Sequence, residues 1–256
     1  MRWFDAGVNL LDARFDAEAV IARAIEAGVE RLCMITTSPR EWQAAENLYQ
    51  RYPERVCYTV GVHPHHAKDV TPTDLEALEH HAQAPGVVAI GECGLDYNRN
   101  FSPPAVQREV FAAQLQLAAT LKMPVYLHER DAFSDQVALL QQTPPVAGIA
   151  HCFTGTTEQM QTYVALGLYI GITGWVCDPK RGEALRAAVQ QLPLDRLILE
   201  TDAPYLFPKN QRPRKRNNEP AFIGAIASQL AELLNVSETR LSDICMDNTT
   251  QLFKVD

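Results

Sequence analysis

Residues 87–128 read VVAIGECGLDYNRNFSPPAVQREVFAAQLQLAATLKMPVYLH. The stretch opens with 87–92 (VVAIGE), an apolar run too short for a helix and without alternation, the pattern of a strand buried on both faces. Residues 103–122 then repeat with helical periodicity, because Val106, Val110, Ala113, Leu117 and Leu121 fall three or four residues apart on one stripe. Ser102 is expected as the N-cap, with Pro103 at the first helical position, where no N–H donor is needed. Residues 124–128 (PVYLH) return to the strand pattern. A strand, a helix and a second strand make the unit of a parallel sheet.

The alternation extends outward in both directions. Further apolar runs occupy 3–10, 31–37, 56–62, 146–151, 168–173 and 196–201, giving eight in all. Amphipathic stretches fit helices at 16–27, 40–52, 73–83, 132–142, 157–166, 181–191 and 220–234, with Gly28 and Gly167 placed as helix stops. Residues 238–253, after Ser237, form an extra C-terminal helix. Eight β-then-α units predict an α/β chain folded as a (β/α)8 TIM-type barrel with an extra C-terminal helix, a single domain over residues 1–256. An open, doubly wound sheet is the structural alternative.

Bulk properties set limits on function. A chain of 256 residues with 46% hydrophobic and 21% charged content buries a core without disulfides or structural metals, which leaves any metal to serve chemistry. The net charge of −8 argues against a surface coated in positive charge, though not against a local basic patch. Six cysteines are scattered without a CxxC pair, the usage of a reduced, cytoplasmic protein. The start MRWFDAGVNL does not read as a signal peptide, and no run approaches the ~18 apolar residues that span a bilayer. A membrane role is therefore not expected.

Barrel enzymes carry their sites at the C-terminal ends of the strands. There the third strand ends in Gly61-Val62-His63-Pro64-His65, the fourth in Glu92, the fifth in His128, the sixth in His151 and the eighth in Asp202. One such residue alone is ordinarily structural. Two imidazoles and two carboxylates converging on one barrel mouth are costly to bury without a cation. Glu92, His128, His151 and Asp202 are thus the expected ligands of a divalent metal. His63 is a candidate for metal or substrate contact. His65 and His66 read as polar loop residues, and Cys93 and Cys152 as packing residues.

At this point a resemblance is evident. The segments GVNL (7–10), GVHPH (61–65), GECGLDYNRNF (91–101), MPVYLHERDA (123–132), HCFTGT (151–156), GITGWVCD (171–178), ETDAPYL (200–206) and RNNEPA (216–221) resemble the TatD family of metal-dependent deoxyribonucleases, within the broader amidohydrolase-like barrels. The resemblance runs the length of the chain. It implies metal ligation by Glu92, His128, His151 and Asp202, and hydrolysis of DNA phosphodiester bonds with magnesium. Mixed imidazole and carboxylate ligands, judged by chemistry alone, favour zinc or manganese. One departure stands out: most of the wider family carries two metal-binding histidines in a D-x-H-x-H-L segment on the first strand, and here Gly7 and Asn9 occupy those positions, a variant that resembles the branch closest to TatD itself. This predicts one tight metal site per chain.

The expected activity is a 3′→5′ exonuclease on single-stranded DNA, with RNA a second candidate substrate. Glu92 and Asp202 are its catalytic carboxylates, Asp202 acting as ligand or general base beside the attacking water. Arg99, Arg130 and the basic run Arg212, Arg214, Lys215 and Arg216 are candidates to neutralise phosphates. Tyr97, Phe101, Trp175, Tyr205 and Phe207 are candidates to stack on unpaired bases. A metal-dependent hydrolase of a small amide, ester or lactone on the same barrel is the competing reading, since fold does not fix function.

Overall fold

The computed structural model describes residues 1–255. Strands β1 (Trp3–Val8), β2 (Val29–Met34), β3 (Val56–Val60), β4 (Val87–Asp96), β5 (Val125–Arg130), β6 (Gly148–Ala150), β7 (Tyr169–Ile172) and β8 (Leu197–Leu199) lie in one sheet in that order. Helices α1 (Ala17–Glu26), α2 (Pro39–Arg51), α3 (Pro72–His81), α4 (Pro104–Leu121), α5 (Phe133–Gln142), α6 (Thr157–Ala165), α7 (Glu183–Val189) and α8 (Ile223–Leu234) alternate with them. This is the expected (β/α)8 TIM-type fold, and α9 (Glu238–Phe253) is the extra C-terminal helix. Every residue of β1 and β3 is buried, as parallel strands covered on both faces require.

The chain falls into two compact units. The first comprises Met1–Met34, Cys152–Ala165 and the segment from Tyr169 onward. Here β1 pairs with β2 and β7 with β8, both parallel. The segment after β8 returns to β1: the N–H of Asp202 donates to Gly7 O at 2.8 Å and the N–H of Asn9 to Ala203 O at 2.8 Å. Asp5, wholly buried, accepts from the N–H of Thr201 at 2.8 Å and from its hydroxyl at 2.5 Å. Helix α9 starts at Ser237, whose hydroxyl accepts from the Arg240 N–H. It closes over the same strands through Phe253 against Phe4 and through Asn248 Nδ2, which donates to Leu194 O and Leu197 O.

The second unit comprises Ile35–His151 with Leu166–Leu168, and its strands β3, β4, β5 and β6 pair in parallel. Two expectations change here. Helix α4 starts one residue later than expected: Pro104 is its first residue, and Pro103 occupies the cap position without a side-chain bond. Ser102 Oγ instead accepts from the Lys68 N–H and donates to His65 O. The buried stripe of α4 is also rotated, comprising Gln107, Val110, Phe111, Gln114, Leu115 and Ala118. Two glutamines sit on that face because they complete backbone hydrogen bonds at strand ends, a role that hydrophobic periodicity does not register.

Candidate metal centre

Strand β4 runs past Glu92 to Asp96, four residues further than expected. Gly94 permits this. Its φ is +137°, and a Cβ there would overlap the carbonyl oxygen of His128, so only glycine lets β4 and β5 approach. Alternation then places Glu92 and Asp96 on one face and buries Cys93 and Leu95 on the other. The expectation that Cys93 serves packing holds, and burial pushes its thiol far up.

Three buried glutamines hold the strand ends. Gln114 accepts from the Val62 N–H at 2.8 Å and donates to Val62 O, fixing the peptide before His63. Gln107 does the same for Asp96, and Gln136 accepts from the Leu95 N–H. The side chains thus held converge on one oxygen. Around Glu92 Oε1 stand His128 Nδ1 at 2.9 Å, His63 Nε2 at 3.6 Å and His151 Nε2 at 3.9 Å.

The outer nitrogens of these rings have partners that sort the tautomers. His128 Nε2 lies 3.3 Å from Asp96 Oδ2, and Tyr126 Oη lies 2.7 Å from His151 Nδ1. A proton on each of those nitrogens fixes His128 Nδ1 and His151 Nε2 as the atoms that face Glu92, the arrangement that metal-binding histidines adopt when a polar group orients them from behind; as a cation His128 donates from Nδ1 to Glu92 Oε1 and from Nε2 to Asp96 Oδ2. His63 is different. Its Nδ1 accepts the backbone N–H of His65 at 3.1 Å, so neutral His63 carries its proton on Nε2. In that form it is a donor toward Glu92, and it stands with Glu92 and His128 in a group whose ligand atoms lie within 4.8 Å of one another.

Electrostatics follow from this packing. Burial works against the charge on Glu92, but the imidazoles of His63, His128 and His151 outweigh it and hold the carboxyl below its usual range. Burial would lower His128, yet its hydrogen bonds to Asp96 and Glu92 carry it up to about 9. Burial pushes His63 well below the ordinary imidazole value.

Asp96 and His65 belong to this cluster. Asp96 Oδ2 meets His65 Nε2 at 2.7 Å, and Oδ1 accepts from the N–H groups of Asn98 and Arg99. His65 is therefore more than the loop residue it was expected to be. The signal for Asp96 was its even spacing from Glu92 in a strand. The glycine at 94 concealed it by reading as a strand end.

In the first unit Asp202 has φ +51° and Cys152 φ +45°, left-handed conformations uncommon for residues with a Cβ. Asn9 Nδ2 donates to Asp202 Oδ1 at 3.0 Å and to Ala203 O at 3.2 Å. The Cys152 N–H donates to Glu200 Oε1. Asn218, buried within RNNEPA, donates from Nδ2 to Thr201 O at 2.9 Å and ties the returning loop to the end of β8.

The arginines expected at phosphates are all exposed. Arg99 and Arg130 are exposed at the ends of β4 and β5, as are Arg212, Arg214 and Arg216 in the loop after β8. Arg212 Nη1 donates to Lys209 O and Gln211 O of its own loop. Lys215 lies over the Phe222 ring and 4.0 Å from Glu219.

The residues of the second unit suit a divalent metal: one carboxylate oxygen ringed by imidazole nitrogens, with Asp96 and Tyr126 behind two of the rings. No described helix is long and apolar enough to cross a membrane. Comparison with known proteins gives a consistent picture. A protein of Pectobacterium parmentieri named 3′-5′ ssDNA/RNA exonuclease TatD is 46% identical, over 98% of this chain and 99% of its own length. The protein of that name from Escherichia fergusonii is 45% identical over the same shares. Among solved structures, the TatD homologue YJJV of Escherichia coli K12 superposes with a TM-score of 0.91 at 28% identity, covering 100% of this chain and 99% of that one. The family described as TatD related DNase matches residues 4–254, and the chain is a member of it.

Proposed function

We propose that this protein is a divalent-metal-dependent 3′→5′ exonuclease on single-stranded nucleic acid, DNA foremost and RNA second. One observation carries the reading: three imidazole nitrogens surround Glu92 Oε1 in a chain whose full-length relatives bear the name of a 3′-5′ ssDNA/RNA exonuclease. Glu92, His128, His151 and Asp202 are the proposed ligands, since (β/α)8 enzymes gather their sites at the C-terminal strand ends where all four stand. The bound ion would supply Lewis acidity, polarising a phosphoryl oxygen and acidifying water. Magnesium is the proposed working ion, with zinc or manganese favoured by the ligand types.

The protein's own groups do the rest. His128 and His151 are presented in the correct tautomers by Asp96 and Tyr126. Asp202, oriented through Oδ1 by Asn9, takes the proton of the attacking water. His63, neutral and protonated on Nε2, donates toward Glu92 or an oxygen of the substrate. Arg99, Arg130, Arg214 and Arg216 neutralise phosphates of the bound strand. The scattered cysteines, without a CxxC pair, support a cytoplasmic setting.

The test is a gel time course on single strands of DNA and RNA labelled at the 5′ end or the 3′ end, with magnesium, manganese, zinc or chelator, beside a panel of small esters, amides and lactones. A metal-dependent ladder shortening from the 3′ end is expected. Turnover of the small substrates with intact oligonucleotides would overturn the reading.

A further inference from the structure

Among the described aromatic side chains only Phe101 and Tyr205 are exposed, by 53% and 48%. Both follow the C-terminal end of a strand, and they differ in what holds them. The Phe101 ring already packs edge-on against His65, with centroids 4.8 Å apart. Tyr205 is held differently. Its N–H donates to Asp202 O at 2.9 Å, so a single tight turn links it to the proposed ligand. The guanidinium of Arg14 lies 4.4 Å from the centre of its ring. Arg14 is itself clamped: Nε and Nη2 each donate to the Asp12 carboxylate at 2.7 Å, and its N–H donates to Asp12 Oδ1. The Tyr205 hydroxyl reaches Asp12 Oδ2 at 3.4 Å.

This arrangement decides what the assembly offers a ligand. One edge of Arg14, Nε with Nη2, is taken by Asp12. Beside that edge is a flat pair, the guanidinium lying over the phenol ring. Flat, rigid groups at the end of a strand suit another flat group and cost little ordering on binding. We propose that Tyr205 and Arg14 form a stacking platform for an unpaired nucleobase, one to a few nucleotides from the bond that is cut. The proposal rests on the nuclease reading and adds a base-binding subsite to it. Every base has a π-face, so the platform grips single strands without reading sequence and is inaccessible to a base still paired within a duplex.

The test uses single strands carrying 2-aminopurine, or an abasic site, at each of the last few positions in turn. Affinity is read by fluorescence with chelator present so that no strand is cut. Wild-type protein should quench 2-aminopurine at one position, and an abasic site there should weaken binding roughly tenfold or more. Tyr205→Leu should weaken binding of the intact strand by a similar factor and add nothing on the strand abasic at that position. Tyr205→Phe should bind as wild type does, because it keeps the ring. The platform is overturned if no position is quenched by wild-type protein, if Tyr205→Leu binds normally, if Tyr205→Phe is as weak as Tyr205→Leu, or if Tyr205→Leu loses equally on every abasic strand. The last result would mean that Tyr205 only positions the Asp202 turn. The nuclease reading is judged separately, by cleavage of the unmodified strand with metal.

Discussion

Asn9 donates its side-chain amide to Asp202 Oδ1 at 3.0 Å, and the same nitrogen reaches the carbonyl of Ala203 at 3.2 Å. Asn9 is thus used to orient a carboxylate. With Gly7 beside it, the first strand supplies no imidazole. Partners of this kind typically change metal affinity or activity 10- to 100-fold when removed. Asn9→Ala should lower kcat on a single-stranded oligonucleotide by about that range. Metal titration of the wild-type protein should find one tight ion per chain. Gly7→His with Asn9→His should raise occupancy of a second site. Two tight ions in the wild-type protein would contradict this assignment of strand β1.

Tyr126 is the corresponding partner of His151. Phenylalanine keeps the ring, which packs 4.8 Å from the imidazole, and removes only the hydroxyl. Tyr126→Phe should therefore fold normally and bind manganese about 10- to 100-fold more weakly in a calorimetric titration. Unchanged affinity would show that the hydroxyl does not set the tautomer.

Asp5 gives the fold a dependence on pH. Burial pushes its carboxyl up to about 7, against hydrogen bonds from the hydroxyl and N–H of Thr201 and the N–H of Gly7 that favour the charged form, while Glu200 adds to the rise. The ordinary value is 3.8. Between these limits the folded protein binds the proton more tightly than the unfolded chain does. This contribution to stability is thus complete at low pH, is lost as pH rises toward 7 and is flat above it. Urea midpoints should show that Asp5→Asn, a neutral side chain of the same shape, flattens this fall. An identical pH profile for the variant would remove Asp5 from the account.

The basic loop can be narrowed by its interactions. Arg212 is bonded to its own loop and Lys215 is near Glu219, which leaves Arg214 and Arg216 as the better candidates for phosphate. Arg214→Glu with Arg216→Glu should weaken oligonucleotide binding and lower the slope of log affinity against log salt by about 0.7 for each phosphate that is no longer neutralised. An unchanged slope would place the loop off the path of the strand.

The fold was legible because each strand and helix declares its own period, and eight repeats leave few alternatives. Of the four proposed ligands, His128 and His151 stood out because each directly follows an apolar run, whereas Asp202 stands beyond Glu200 and Thr201. What escaped was polar and internal. Gln107 and Gln114 lie on the buried face of α4, where apolar periodicity cannot register them, yet they hold Asp96 and the peptide before His63. Asp96 was hidden behind Gly94. The hydrogen bonds of Asn9 with Asp202 and of Tyr126 with His151 span 193 and 25 residues, distances over which local pattern carries no information.

The central claim is that Glu92, ringed by His128, His63 and His151, holds the ion that cleaves nucleic acid. It is tested most directly by single-turnover cleavage of a 5′-labelled single strand in magnesium, comparing wild type with Glu92→Gln, whose fold is verified by circular dichroism. Losing one ligand charge should lower the rate by roughly a thousandfold, in line with removal of a group on which the developing charge depends. Cleavage by Glu92→Gln at close to the wild-type rate would contradict the account.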